Sequence, residues 1–125
     1  MLKSNEPIAT VPVRDFAKAR TFYEGKLGLL MDDGGMENVG TFRSDRGALL
    51  VYQSEFAGTN KATCVTWMVG DGLLDAIAAL KAKGVTFERY DMPGAVRDGD
   101  VYAFGAIRNA WFKDPDGNIH SLVNV

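Results

Sequence analysis

The sequence predicts an α+β fold made of two tandem βαβββ modules within a single domain, residues 1–125. A short frame occurs twice: Val13-Arg14-Asp15 precedes Gly28, and Val69-Gly70-Asp71 precedes Gly84. Both Asp-to-Gly intervals are 13 residues, and the repeat period is 56 residues. Each Asp follows an apolar run, and each Gly ends a run of helix-forming residues. A duplicated unit of this size cannot bury its apolar face alone, so the two copies are expected to pack into one core.

Module one, about residues 6–56, is predicted to contain a strand, a helix and three further strands. The β-rich run 8–13 predicts the first strand, and Pro12 places it near an edge or a strand end. Asp15 is suited to cap the following helix, and Gly28 supplies the left-handed residue that closes it. A turn is predicted at Asp33-Gly34-Gly35. The further strands are predicted at residues 29–32, 39–43 and 48–53.

Module two, about residues 61–125, repeats this order. Asp71 is expected to cap its helix and Gly84 to close it. The motif Asp114-Pro115-Asp116-Gly117 predicts a tight turn, because Asp accepts from nearby backbone N–H groups and Gly adopts a positive φ. The strands of this module are predicted at residues 62–69, 85–90, 106–113 and 118–123.

Residues 91–100 have no counterpart in module one. Phe42 and Gly47 have the same spacing as Phe112 and Gly117, but their offset is 70 residues instead of 56. Module two therefore carries about 14 extra residues, which we place in the polar loop 91–100. Insertions of this kind lie at the surface, either as a functional lid or dimer contact or as a passive loop.

The composition limits the classes of partner. Net charge is -2 with both signs scattered, which gives no electrostatic footprint for nucleic acid or for an anionic membrane. Cys64 is the only cysteine, so an intrachain disulfide is impossible and a reducing cytoplasm is the expected location. The N-terminus lacks the apolar core of a signal peptide, and no apolar stretch reaches the length of a membrane span.

Four stretches, in order along nearly the whole chain, resemble the vicinal oxygen chelate superfamily, which groups glyoxalases, bleomycin-resistance proteins and ring-cleaving dioxygenases. The resemblance implies that paired βαβββ modules curl around a cup that holds a small-molecule ligand, and that the protein is a homodimer. It leaves open whether modules pair within one chain or across the dimer. The stretches are Val11-Pro12-Val13-Arg14-Asp15-Phe16-Ala17-Lys18-Ala19-Arg20-Thr21-Phe22-Tyr23, Leu27-Gly28-Leu29, Lys81-Ala82-Lys83-Gly84-Val85 and Trp111-Phe112-Lys113-Asp114-Pro115-Asp116-Gly117-Asn118.

Members with metal chemistry place His, Glu or Gln ligands at four inward positions, which the resemblance carries over to Ile8, Leu50, Cys64 and Ser121. Divalent cations need several carboxylate, imidazole or thiolate ligands in one coordination shell. Two aliphatic residues, one Cys and one Ser do not supply them. We therefore expect no metal and no other cofactor.

Strand alternation selects the side chains expected to face the cup. Amphipathic and aromatic residues at such positions give a ligand both apolar area and a polar handle. Packing within the core is the alternative for Tyr52, Thr66, Met68 and Trp111. No residue is assigned a catalytic role. The predicted ligand-binding residues are Thr10, Leu50, Tyr52, Cys64, Thr66, Met68, Trp111 and Ser121.

Two further residues could carry chemistry. His120, the only histidine, is expected to point away from the cup, because it neighbours Ser121 on one strand. A one-residue slip in the alignment would reverse this orientation. A free Cys such as Cys64 is most often a small buried hydrophobe, and no sequence neighbour is suited to make it a nucleophile.

The sequence thus predicts a metal-free protein that binds or sequesters an apolar or aromatic ligand in the cup. A third hypothesis is an interaction module with a filled core and no cavity, in which the cup serves only dimerisation. The second hypothesis is a lyase, isomerase or dioxygenase that takes metal ligands from other positions or uses acid–base side chains. The candidates for such an enzyme are His120, Glu55 and Glu88 as ligands, or Tyr52, Cys64 and Ser121 as acid–base groups.

Overall fold

The computed structural model describes residues 1–32 and 36–125, which separate into two compact units, Met1–Thr59 and Asn60–Val125. In each unit the first strand pairs in parallel with the last, and the intervening strands pair antiparallel. This arrangement confirms the α+β fold of two βαβββ modules. The turn predicted at 33–35 lies outside the described residues. Within the described part of the chain, no helix is long and apolar enough to cross a membrane.

Unit one contains a sheet with the strand order β1-β4-β3-β2. Strand β1 lies at its edge, as Pro12 predicted, so the missing proline N–H costs no ladder hydrogen bond. The elements are a 3₁₀ turn at Leu2–Ser4, β1 at Ala9–Val13, α1 at Phe16–Arg20, a π-helical turn at Thr21–Lys26, β2 at Leu30–Asp32, β3 at Val39–Arg43 and β4 at Ala48–Gln53.

The helical segment formed by α1 and the π-helical turn begins and ends as its sequence predicts. The Asp15 carboxylate accepts a hydrogen bond from the Lys18 N–H at 3.2 Å, which satisfies a free donor of the first turn. Gly28 has a φ of 74°, the left-handed conformation that ends the helical segment.

The helical segment packs on the sheet through aromatic side chains. The rings of Phe16 and Tyr23 lie 6.3 and 5.6 Å from that of Phe42 on β3. Gly40 makes this approach possible, because a Cβ atom there would lie 2.9 Å from Cζ of Phe16.

Unit two contains a sheet with the strand order β5-β9-β8-β7-β6. Its helix α2 buries Leu73 and Ile77. The elements are β5 at Thr63–Met68, a 3₁₀ turn at Gly70–Gly72, α2 at Leu73–Ala82, β6 at Val96–Asp98, β7 at Val101–Phe104, β8 at Ile107–Lys113 and β9 at Ile119–Val123.

Three predictions for unit two are wrong. The strand expected at 85–90 is reduced to one bridge between Phe87 and Phe112, and the second ladder of β8 is formed with β7, over Ile107–Asn109. The loop expected throughout 91–100 includes β6, which forms a hairpin with β7. Asp71 does not cap α2: the chain enters through a 3₁₀ turn, and Gly72 occupies the N-cap without a side-chain hydrogen bond.

Candidate functional site

One face of the unit-one sheet carries three of the predicted binding residues. Thr10 pairs with Leu50, which also pairs with Thr41, and Tyr52 pairs with Val39 in a neighbouring row. Because side chains alternate along a strand, all five lie on the same face. We call this the Leu50 face, formed by Thr10, Val39, Thr41, Leu50 and Tyr52.

The Leu50 face is the open side of its sheet. The opposite side is filled by the core, where Val11, Phe42 and Val51 have no exposed surface. On the Leu50 face, Leu50 is partly buried, Thr10 is exposed and Tyr52 keeps 36% of its surface exposed. This face therefore presents apolar area and hydroxyl groups that unit one does not cover.

One face of the unit-two sheet carries four more of the predicted residues. Thr66 pairs with Ser121, and Ser121 with Trp111, while Met68 pairs with Val123. We call this the Ser121 face, formed by Thr66, Met68, Trp111, Ser121 and Val123. Its two ends differ, since Met68 is 76% exposed, whereas Trp111 and Ser121 are buried and have only 9% and 3% of their surface exposed.

The buried end of the Ser121 face is covered by the inserted residues. The Trp111 ring packs edge-on against Tyr90 and Tyr102, with centroid distances of 5.7 and 5.3 Å. Met92 and Ala95 pack on the same cluster. The insertion is therefore not a free surface loop; it supplies apolar side chains to the face on which we expected ligand binding.

Tyr90 and Tyr102 form a contact that sequence reasoning missed. The Tyr102 hydroxyl accepts a hydrogen bond from the Tyr90 N–H at 2.5 Å and donates to the Tyr90 carbonyl at 3.0 Å. The Tyr90 hydroxyl oxygen, by contrast, is buried without a hydrogen-bond partner among the described residues. The aromatic residues on both sides of the insertion were the only sequence signal for this pair.

An ionic cluster holds the base of the insertion. Arg89 Nη2 lies 2.9 Å from Asp100 Oδ1, and Lys81 Nζ lies 2.6 Å from Asp100 Oδ2. Arg89 Nη1 also donates to the Gly99 carbonyl at 2.6 Å. These charged residues line an open cavity of about 470 Å³, to which none of the sequence-predicted binding residues contributes.

Ser121 and Cys64 are not free nucleophiles. The Ser121 hydroxyl accepts a hydrogen bond from Asn109 Nδ2 at 3.0 Å. Cys64 lies where the register with β9 shifts, so the pairing pattern does not assign its side chain to the Ser121 face. Burial raises the pKa of the Cys64 thiol, and the nearby Asp114 carboxylate raises it further, which favours the protonated and unreactive form.

His120 belongs to the other side of the sheet, as expected. It is fully buried, its Nδ1 accepts from Trp67 Nε1 at 3.0 Å, and its ring stacks on Phe112 with a centroid distance of 4.9 Å. Burial lowers the pKa of His120 from 6.5 to about 4, so the ring is neutral at physiological pH. A neutral histidine within this aromatic stack is a core residue.

The family model of the Glyoxalase/Bleomycin resistance protein/Dioxygenase superfamily matches residues 7–120. The chain belongs to this superfamily. No curated protein gives a significant match.

Solved structures of the superfamily fold align over nearly the full chain. Integron cassette protein HFX_CASS4, from the mobile metagenome of a Halifax Harbour sewage outfall, has a TM-score of 0.70 at 15% identity, covering 96% of this chain and 99% of that one. Fosfomycin resistance protein FosX from Mesorhizobium loti has a TM-score of 0.68 at 14% identity, covering 98% and 92%. Cassette protein VPC_CASS1 from V. Pseudocholerae has a TM-score of 0.66 at 22% identity, covering 98% and 95%. At such identities the likeness shows the shared fold alone.

The positions that the superfamily resemblance assigns to metal ligands do not fit a divalent cation here. Ile8 and Leu50 have no donor atoms, the Ser121 hydroxyl is already engaged by Asn109, and Cys64 has a raised pKa. Across residues 1–32 and 36–125, no three or more His, Cys, Asp or Glu side chains gather into a group that could hold a metal ion.

Proposed function

We propose that this superfamily member binds an apolar or aromatic small molecule without a metal ion. The observation that carries the proposal is the Leu50 face, which leaves Leu50 and Tyr52 partly exposed opposite a fully filled core. Concave sites for small molecules are mostly apolar with a few polar groups. The Thr10, Thr41 and Tyr52 hydroxyls would provide those groups on this face.

The donor set supports binding without metal. The four positions discussed above offer one thiol and one hydroxyl, whereas divalent cations are held by several anionic or imidazole ligands. A FosX structure from Listeria monocytogenes is a complex with Mn(II) and a dihydroxypropylphosphonic acid, and it shares 14% identity with this chain. The residues at these positions are therefore our reason to propose a function that uses no metal ion.

Two of the three acid–base candidates, Cys64 and Ser121, and the only histidine are in states that favour binding over catalysis. His120 is neutral and lies within the core on the far side of its sheet. The Cys64 thiol is held protonated, and the Ser121 hydroxyl is hydrogen-bonded to Asn109. A general acid or base must reach the reacting group and exchange a proton near the working pH, and none of these three meets both conditions.

Two partner expectations complete the proposal. The homodimer that the family resemblance implies would place a second copy of this chain as the protein partner, and light scattering after size-exclusion chromatography tests it. We infer a cytoplasmic location, without nucleic-acid or membrane partners, from the mixed surface charge and the single cysteine.

Isopropylbenzene, an uncharged aromatic probe, tests the binding function by NMR titration. We expect wild-type protein to bind it, Leu50→Lys to weaken binding at least tenfold, and Leu74→Lys to leave it unchanged. Leu74 is a matched control because it is a 59% exposed leucine on α2 and belongs to neither face. Equal binding by both variants would remove the Leu50 face from the proposal.

Metal analysis of protein purified without chelator tests the second half of the proposal. We expect less than about a tenth of an equivalent of any divalent transition metal, because a site with one strong ligand holds such a metal weakly. A stoichiometric metal that is lost on Cys64→Ala would show that the chelate site is retained.

A further inference from the structure

Three cationic side chains converge on the turn that joins β6 to β7. Arg89 Nη1 donates to the Gly99 carbonyl at 2.6 Å, and Arg97 Nη1 donates to the same oxygen at 3.4 Å. Lys81 Nζ and Arg89 Nη2 lie 2.6 and 2.9 Å from the two carboxylate oxygens of Asp100. The two guanidinium groups therefore meet at one oxygen, with the ammonium group held beside them. We call this the cation cluster, formed by Lys81, Arg89 and Arg97.

The cation cluster carries more positive charge than its neighbours neutralise. Among the described residues, Asp100 is the one carboxylate that forms ion pairs with these three side chains. Asp98 follows Arg97 on β6, so its side chain points to the opposite face of the strand. Glu88 is paired with Lys113 at 3.2 Å. Like charges held close together repel, and an anion bound between them would remove this repulsion.

A cavity of about 470 Å³ opens beside the cluster, lined by Lys81, Arg89, Asp100 and residues 84–87. Pockets for small molecules have volumes of roughly 300–1,000 Å³. The wall is mixed in character, because Val85 and Phe87 are buried apolar residues whereas Thr86 is exposed. The cavity therefore offers room and apolar contact for an organic group next to the positive charges.

The cations keep donors for a ligand. A guanidinium group has five N–H donors and an ammonium group has three. Arg89 uses two nitrogens on Gly99 and Asp100, and Lys81 uses one donor on Asp100. The side chains of Lys81 and Arg89 are 54% and 51% exposed, whereas that of Asp100 is 10% exposed. The enclosed carboxylate thus positions both cations and leaves their outer N–H groups accessible, as a binding site requires.

The end of α2 does not cancel this attraction for an anion. Free carbonyl groups at a helix C-terminus repel negative charge. Here the Leu80 carbonyl accepts from the N–H groups of Lys83 and Val85, each at 3.0 Å, and the Lys81 carbonyl accepts from the Gly84 N–H at 3.0 Å. Since these carbonyls are engaged within the turn, the side-chain charges dominate at the cavity.

The excess charge and the donor geometry select a phosphate monoester. Such a group carries about −1.5 to −2 charge at pH 7 and has three strong acceptor oxygens. Three cations against one carboxylate leave a matching excess. A guanidinium fork pairs with phosphate through two parallel hydrogen bonds. The ester also supplies an organic part, which the apolar wall of the cavity can contact.

We propose that the cation cluster binds the phosphate group of a small phosphate monoester, whose organic part enters the cavity beside Val85 and Phe87. None of the residues that line this cavity belongs to the Leu50 face or the Ser121 face. The inference therefore goes beyond the proposed function and does not depend on it.

Three probes, titrated into the full chain by NMR at pH 7.5 and low salt, test the ligand class. Phenyl sulfate has nearly the shape of phenyl phosphate but carries one negative charge, and inorganic phosphate lacks the organic part. We expect phenyl phosphate to bind most tightly and to shift the amide signals of Gly84, Thr86 and Gly99. Phenyl sulfate should bind about threefold more weakly, the factor of one charge at a partly exposed site.

Substitutions of single cations test the site. Lys81→Gln and Arg97→Gln should each weaken phenyl phosphate binding about threefold, and the double variant about tenfold. Both side chains are exposed, so the melting temperature should change little. Lys18→Gln is the matched control, because Lys18 is an exposed lysine of α1 that does not line the cavity, and it should leave binding unchanged.

Four results would overturn the inference. The first is no binding of phenyl phosphate at 10 mM, and the second is a loss for Lys18→Gln equal to that for Lys81→Gln, which would show general attraction by positive charge. The others are phenyl sulfate or inorganic phosphate binding as tightly as phenyl phosphate, which would exclude a monoester as the preferred ligand. The isopropylbenzene titration with Leu50→Lys is a separate measurement, so failure here is distinguishable from failure of the proposed function.

Discussion

Acidification is expected to destabilise the protein through His120. The ring is buried between aromatic side chains, and its Nδ1 accepts a hydrogen bond from Trp67 Nε1 at 3.0 Å. Protonation would place a charge in this apolar stack and would remove the acceptor for the Trp67 N–H. These costs are consistent with a pKa of about 4 in the folded protein, against 6.5 for the ordinary side chain.

The size of the effect follows from the two pKa values. Between pH 6.5 and 4 the unfolded chain binds a proton at His120 and the folded protein does not. The free energy of unfolding therefore decreases as the pH is lowered through this range. At about 1.4 kcal/mol per pH unit, the loss is about 2 kcal/mol at pH 5 and about 3 kcal/mol once the pH is below both pKa values. This contribution is fully present above pH 6.5.

Urea denaturation at pH 7, 6, 5 and 4, followed by tryptophan fluorescence, measures this loss. Carboxylates also titrate in this range, so the reference is His120→Phe, which keeps an aromatic ring beside Phe112 and removes the titrating group. The difference in pH dependence between wild type and variant should amount to about 2 kcal/mol at pH 5.

Two results would refute the reasoning. One is a variant that loses stability with acid as steeply as the wild type. The other is an NMR titration of the single histidine with a midpoint near 6.5, and this measurement decides the matter even if the variant does not fold.

Three further predictions concern local structure. Gly40→Ala places a methyl group 2.9 Å from the Phe16 ring and should cost about 1 kcal/mol in urea denaturation; an unchanged midpoint would contradict this packing. Asp114→Ala removes the carboxylate that accepts from the Asn118 N–H at 2.9 Å and from Asn118 Nδ2 at 2.7 Å, and should cost about 3 kcal/mol; a loss below 1 kcal/mol would mean that the turn repairs itself. Cys64, with its raised pKa, should react with iodoacetamide at pH 7.5 more slowly than free cysteine, and an equal or faster rate would show an activated thiol.

Local signals in the sequence predicted module one closely. Strands at 39–43 and 48–53 were predicted with the bounds that the structure has. The caps at Asp15 and Gly28 also formed as expected. These features depend on neighbours in sequence, where alternation, turn residues and caps carry the information.

Module two departed from its sequence pattern where distant residues decide the structure. The run 85–90 is β-rich, but only Phe87 forms a bridge with β8, whose ladder with β7 covers Ile107–Asn109. The insertion is polar in composition, yet Met92 and Ala95 pack on a buried aromatic cluster. Neither outcome can be predicted from a short stretch of sequence, because each depends on which distant segment packs against the sheet.

The alternation of side chains along the strands predicted most of the candidate site, but it did not predict which residues from other segments pack on it. It put Thr66, Met68 and Ser121 on a common face, which the register shows. It missed Tyr90, because that residue reaches the face from a segment outside the regular strands. Whether these faces bind a ligand stays a prediction, and the probe titrations test it.

The clamp at the base of the insertion has a consequence for how such modules diversify. Arg89 binds Gly99 and Asp100 directly, so the chain enters and leaves the insertion at one fixed point on the module. Closing a loop between two points that are already held together costs little additional entropy as its length changes. Residues 91–95, which precede β6, can therefore be exchanged for a segment of different length or composition while the repeated frame stays intact. A module built this way can change the side chains that cover one face of its sheet by replacing a single short segment, without redesigning either sheet.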